Sequence, residues 1–207
     1  MELRTQLNKL EEAILNNVQT QFPNRLAEDE RALVSAYLVL AHAVLEEELE
    51  EAFLAAFDEL AVSLSQPIVP IQTVQFVFAL TRWLPTDLLN SRGSSNLHGF
   101  VSQGCRQRFL IELNRNHGLK AVNIKGLAKL IGLDWDALEN AHSDRLADLN
   151  TLGSKRGAAG HLSPFSPKTT GLTEDIDPDD VRLWVQYGLD AVDEIKRVLN
   201  QLATPRT

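Results

Sequence analysis

One cysteine, one methionine and two tyrosines stand in a chain of 207 residues. The lone thiol, Cys105, excludes an internal disulfide and suits a reducing compartment, so a cytoplasmic location is expected. No apolar run reaches the roughly 20 residues that cross a bilayer, and no membrane partner is expected. The opening Met1-Glu2-Leu3-Arg4 reads as a charged amphipathic stretch and not as a signal peptide. There is no HExxH, no CxxC pair and no compact acid–histidine cluster, so no metal is expected. A P-loop, a dinucleotide-binding glycine pattern and a nucleophile elbow are missing too, and no cofactor is expected. Nothing alternates like a strand for long, which leaves an all-α fold. A net charge of -8 argues against nonspecific coating of nucleic acid.

What is present is ordinary in bulk and uneven in detail. The 44% apolar and 23% charged residues are those of a globular protein, and the length supports one sizeable core. Between Asn24 and Val62 the acids Glu28, Asp29, Glu30, Glu46, Glu47, Glu48, Glu50, Glu51, Asp58 and Glu59 meet only Arg25 and Arg31. Between Val101 and Gly132 the sign reverses, with Arg106, Arg108, Arg115, Lys120, Lys125 and Lys129 against Glu112. This stretch is either a basic face able to meet RNA or a solvated helix surface. Likewise Glu46-Glu47-Glu48 is either surface or the source of an acid that orients a basic partner at a site.

Helical spacing dominates the chain. Leu3, Leu7, Leu10, Ile14 and Val18 predict a helix over residues 2–20. A long helix is predicted over 27–64, with Glu28, Asp29 and Glu30 favouring its N-terminal dipole. Its stripes are Leu33, Tyr37, Leu40 and Val44, then Leu45, Leu49, Phe53, Phe57, Leu60 and Leu64. At roughly 55 Å this helix outgrows a small globule, so its far end is expected to project or to pair with another chain. His42 sits among its apolar residues as a core or groove histidine. Pro67 and Pro70 end it, and Val74, Val77, Phe78 and Leu80 suggest a short helix before Pro85. Leu97, Val101, Cys105, Phe109 and Leu113 predict a helix over 97–116, stopped by Gly118. Asn123, Asp134 and Ser143 are candidate caps for three further helices, the last expected over 143–156. Gly132 stops the first of these. A polar loop spans 162–176, and Asp177-Pro178 opens a strongly patterned helix over 179–202.

Within this frame Arg156 and His161 stand out. Arginine offers a permanent planar charge suited to phosphate, and histidine exchanges a proton near neutral pH. Without context, Arg156 would serve as a charge at a helix C-terminus and His161 as a cap or interface residue.

The context is a resemblance. Asn116-His117-Gly118-Leu119-Lys120, Asn123-Ile124-Lys125-Gly126-Leu127, Ile131-Gly132-Leu133 and Leu152-Gly153-Ser154-Lys155-Arg156-Gly157-Ala158-Ala159-Gly160-His161 together resemble the HEPN superfamily, in its RiboL-PSP-HEPN branch. The stretch Tyr37 to Glu46 is similar to that branch's long second helix, and the last helix, through Trp184 and Gly188, fits as well. The resemblance covers most of residues 25–202. With 1–24 as an N-terminal helix, the chain reads as a single HEPN-like helical domain over 1–207.

The resemblance implies a helical bundle that forms a homodimer. It also implies a metal-independent endoribonuclease site near the dimer axis, with Arg156 and His161 as catalytic residues. The implied protein is a toxin or antiphage effector that cleaves RNA and is held in check by an antitoxin or regulatory protein. The residue after the arginine is usually polar in the family and here is Gly157. The tyrosine modified in some members, two residues after the histidine, is replaced by Ser163, which argues against tyrosine adenylylation there. The alternative is an inactive HEPN module that binds RNA or a partner protein.

The chemistry fits the two residue types. RNA carries its own nucleophile, the ribose 2'-OH, so cleavage needs a base, an acid and charge stabilisation at phosphorus. His161 can act as base or acid, and Arg156 can hold the phosphate. In a regular helix these residues point roughly 140° apart. Either Gly157 and Gly160 loosen the turn so that the side chains converge, or each arginine works with the partner's histidine.

Overall fold

A computed structural model describes residues 2–20, 24–66, 68–81, 97–161 and 176–202. Among the described residues there are eight α-helices and no strand, in keeping with the all-α expectation. They are α1 (Leu3–Ile14), α2 (Glu28–Val62), α3 (Ile71–Thr81), α4 (Leu97–Arg115), α5 (Ala121–Leu130), α6 (Trp135–Ala141), α7 (Ser143–His161) and α8 (Pro178–Leu202). Single 3-10 turns follow α1 and α2, at Leu15–Asn17 and Ser63–Ser65. No described helix is long and apolar enough to cross a membrane.

The chain divides into two compact units. The first comprises residues 1–48, 118–121 and 142–194; the second comprises 49–117, 122–141 and 195–207. Both α2 and α8 therefore contribute residues to each unit.

In the second unit the distal half of α2 is covered, not projecting. Phe53, Phe57 and Leu60 are fully buried. The Phe57 ring stacks on Phe109 of α4 at 4.8 Å between centroids and meets Phe76 of α3 at 5.1 Å. Such aromatic pairs each contribute about 0.5–1.5 kcal/mol beyond their buried area. The stripe expected on α3 is shifted: Thr73, Phe76 and Leu80 face inward, while Phe78 is 75% exposed. The Thr73 hydroxyl is satisfied by Ser63 Oγ at 2.6 Å and donates to the Leu60 carbonyl at 3.3 Å. Ser91–Asn96 and Pro85 lie outside the described residues, as does most of the 162–176 loop.

Gly132 does stop α5. Its φ of 71° lies in the left-handed region, and the Leu133 N–H closes back on the Ala128 carbonyl at 2.9 Å. Asp134 caps α6 through the Ala137 N–H, and Asp177 caps α8 through the Asp179 N–H, with Pro178 in the first turn. Asn123 and Ser143 are not caps. Each lies inside its helix, and the Asn123 amide donates instead to the His117 carbonyl at 2.9 Å.

In the first unit α2 buries Val34, Tyr37, Leu38, Ala41 and Leu45. Leu33 and Val44 are only half-buried, and Leu40 is 45% exposed. The predicted first stripe therefore runs one helix edge away from the observed one. Helix α1 ends earlier than its periodicity suggests. The segment after it folds back over the start of α2 because Glu30 gathers its backbone donors. One carboxylate oxygen accepts from the Gln19 and Thr20 N–H groups at 2.7 and 2.8 Å, and the other from the Ala27 N–H at 3.1 Å. The Thr20 hydroxyl hydrogen bond is the largest cause of a lowered pKa. Burial opposes it, and the three N–H donors reinforce it, bringing Glu30 from 4.5 to about 2.

A carboxylate depressed in this way stabilises the fold fully above its ordinary value and loses that contribution as pH falls through about 2. Glu30→Gln should therefore lower stability at pH 7 by about 1–3 kcal/mol, and the difference from wild type should shrink as pH falls below 4.5. Chemical denaturation at several pH values measures this. A difference independent of pH would contradict it.

Candidate functional site

Helix α7 packs between α2 and α8, and glycine sets the spacing. A Cβ placed on Gly188 of α8 would stand 2.5 Å from Leu152 Cδ2 and 3.2 Å from Leu45 Cδ1. Only a residue without a side chain admits this three-way approach. Further along, the same construction at Gly160 reaches Val39 Cγ2 at 4.0 Å. Leu152 faces Leu45 and Gly160 faces Val39, so α7 runs antiparallel to α2. Arg156 lies midway between these contacts, at the level of His42, and its charge acts on Glu46 one turn away.

The helix is continuous from Ser143 to His161, so the motif lies within it and not beyond an end at 156. Gly157 and Gly160 do not loosen the turn. The two backbone positions stand roughly 140° apart around the axis, as in any regular helix. The His161 side chain lies outside the described residues.

Neighbouring cations on α7 turn to different helices. Lys155 Nζ sits 4.3 Å from the centre of the Trp184 ring on α8, a cation–π contact. Arg156 turns toward α2. It is half-buried, and its Nε–H is fully buried with no hydrogen-bond partner among the described residues.

Of the acidic run on α2, Glu47 is exposed and Glu46 is tucked inward. One Glu46 oxygen accepts the Gly118 N–H. The other lies 3.5 Å from Nδ1 of His42, which is 2% exposed. Burial alone would raise the Glu46 pKa. The His42 ring, the Gly118 N–H and the Arg156 charge outweigh it and hold the carboxyl below the usual 4.5. Gly118 can present its N–H this way because its φ of 119° is open to glycine and strained for other residues. The result is an ionised acid within electrostatic reach of Arg156, fixed by a backbone donor and a buried ring.

The broad basic face does not survive as an open surface. Arg106 pairs with Asp58 at 2.9 Å, Arg108 and Arg115 share Glu112, and Lys125 approaches Glu139 at 3.9 Å. Four of the six cations are thus paired on a half-solvated helix surface, and Lys120 and Lys129 are not among them. Cys105 is buried on α4, and burial raises its thiol to about 11, which makes it inert as a nucleophile. A cavity of about 510 Å³ is walled by Leu15, Val18, Thr20, Asp177, Pro178, Asp179 and Arg182. It shares no wall with Arg156, and two carboxylates at its rim do not suit a phosphate. Among the described residues no three His, Cys, Asp or Glu side chains gather as a metal site would need.

Periodicity could not reveal the partners of Glu46. The Gly118 N–H lies 72 positions away, and Gly188 declares its role only through the side chains that it admits. Glu46→Ala should free the Gly118 amide and raise its hydrogen-exchange rate roughly 10-fold, the loss of one bond to a charged group. Unchanged exchange at Gly118 would show that another group holds the turn.

Neither a search of curated proteins nor one of solved structures finds a match. The sequence pattern of the family described as RiboL-PSP-HEPN matches residues 2–201, including the N-terminal helix that the motifs quoted above leave outside. HEPN domains are all-helical and usually RNase-related. With the match spanning nearly the whole chain, and with the long second helix and the arginine-bearing α7 packed against it, this protein belongs to the RiboL-PSP-HEPN family.

Proposed function

We propose that the protein is a metal-independent endoribonuclease, and that Arg156 and His161 carry the reaction. The observation that bears most weight is the setting of Arg156. A guanidinium held between α2 and α7 keeps a buried N–H unpaired, in a chain of a family usually tied to RNA. An unsatisfied buried donor is costly unless a ligand completes it, and a phosphate oxygen is a natural partner. Glu46 acts as a positioning residue. Its charge draws the guanidinium toward α2 without forming a close ion pair that would occupy it.

In this reading the arginine binds the scissile phosphate and stabilises charge as the 2'-oxygen attacks phosphorus. One imidazole removes the 2'-hydroxyl proton. A second, protonated imidazole donates to the departing 5'-oxygen. The products are a 2',3'-cyclic phosphate and a 5'-hydroxyl. Two histidines are needed at once, and a homodimer supplies them. Leu40, exposed beside Val39 on α2, is an apolar contact for a second copy near the His161 end of α7. The biological role that fits is a toxin or antiphage effector restrained by an antitoxin or regulatory protein.

A second reading has its own observation. At Gly157 an added Cβ would meet nothing within 4 Å, so the site has room for the polar residue usual in the family and lacks it. An inactive module that binds RNA or a protein would tolerate that loss.

His161→Ala and Arg156→Ala should each reduce RNA cleavage in EDTA by about 10² to 10⁴ and leave the thermal midpoint unchanged. Activity that vanishes in EDTA and returns with a divalent ion would overturn the mechanism. If the folded wild type is silent and Gly157→Asn cleaves, the second reading holds for the natural chain. Light scattering at micromolar concentration should give a dimer, and Leu40→Glu should shift it to monomer. A wild-type monomer would remove the second histidine and with it the shared-site scheme.

A further inference from the structure

Of the six cations between Val101 and Gly132, Lys120 is the only one in the same compact unit as Arg156. The short segment 118–121 is tied down at both ends. At one end the Gly118 N–H meets the Glu46 carboxylate, which carries the field of Arg156. At the other end the Ala121 N–H donates to Asn150 Oδ1 on α7 at 2.9 Å. Between them Lys120 lies across Gly153. A Cβ there would stand 2.9 Å from its Cγ, 3.4 Å from its Cε and 3.8 Å from its Cδ. Asn150, Gly153 and Arg156 succeed one another at three-residue steps, where side chains are neighbours on a helix surface. The aliphatic stem is therefore held along its length against α7 at Gly153, within one helical turn (about 5.4 Å) of Arg156 along the axis. Among the described residues Lys120 has no acidic or hydrogen-bonding partner, in contrast to Arg106, Arg108, Arg115 and Lys125.

We propose that Lys120 binds the RNA phosphate next to the scissile one, so that the site reads a chain of at least two consecutive phosphodiesters. The proposal rests on the cleavage reading for the identity of the ligand. Its geometry is independent of that reading: a lysine held by its stem, left unpaired at its head, one turn from an arginine with a free N–H. Successive phosphates along a single strand are separated by a distance that two such cations can span. Contact with a flanking phosphate is the same in the ground and transition states, so it acts on KM and not on kcat.

Lys120→Met keeps the stem across Gly153 and removes only the charge. With a short oligoribonucleotide, KM should rise roughly 3- to 10-fold with kcat nearly unchanged, and Lys120→Arg should restore it. The salt dependence of binding should flatten by about 0.7, the share of one single-strand phosphate contact. With a dinucleoside monophosphate, which has only the scissile phosphate, Lys120→Met and wild type should behave alike. Unchanged KM and salt slope on the oligonucleotide in a cleaving enzyme would overturn the role of Lys120 and leave the cleavage reading standing. An equal loss on the dinucleotide would also overturn it, by placing Lys120 at the scissile phosphate. If the protein binds RNA without cutting it and the salt slope still depends on Lys120, the cleavage reading fails, and of this one the phosphate contact of Lys120 holds while its place beside a scissile bond is overturned. If it does not bind RNA at all, both fail.

Discussion

The position of Arg156 depends on how closely three helices approach one another at Gly188. With Leu152 and Leu45 on either side of that glycine, α7 lies tight against α2 and α8, and the residues one turn further on inherit the spacing. A side chain at 188 would separate the helices and widen the gap between Arg156 and Glu46. Interiors are close-packed and do not deform smoothly, so one added methyl group is felt over several neighbours. The apolar contact is therefore what sets the electrostatic one.

The electrostatics themselves are economical. A single carboxylate, Glu46, meets a buried ring and a backbone N–H and feels the charge of a guanidinium. It links α2, the turn at Gly118 and α7, and it keeps the cation from drifting without neutralising it by direct contact. The neighbouring Lys155 is held on Trp184, so one cation braces α8 while the next faces α2. Adjacent positions of one helix thus turn to different neighbouring helices.

Much of this was legible from the residues alone. The all-helical class, the long second helix and the caps at Asp134 and Asp177 follow from local rules, because periodicity and capping act within a few residues. Of the second stripe, Leu45, Leu49, Phe53, Phe57 and Leu60 are buried as read, while Leu64 falls in the 3-10 turn after α2 and is only half-buried. The shifted faces of α2 and α3 were not legible, because Leu40 and Phe78 are apolar residues that happen to point outward. Asn123 and Ser143 have the right chemistry for caps at positions one or more residues inside their helices. The basic face was visible as charge but not as pairs, since Asp58 and Glu139 are far from their partners in sequence. Of the candidate site, Arg156, His161 and their motif come from the resemblance, and their role is a proposal. Glu46 could be suspected only as one of three equal acids, Gly153 stood in the motif with no packing role assigned, and Asn150 carried no signal.

The central claim is that the ribose of the substrate supplies the nucleophile and that the protein supplies only charge and proton transfer. The chemistry of the broken end tests this most directly. Phosphorus NMR of a short RNA treated with the purified protein in EDTA should show a 2',3'-cyclic phosphate as the first product. A free 3'-hydroxyl with a 5'-phosphate as the first product would mean that water attacked in place of the ribose, and would contradict the account.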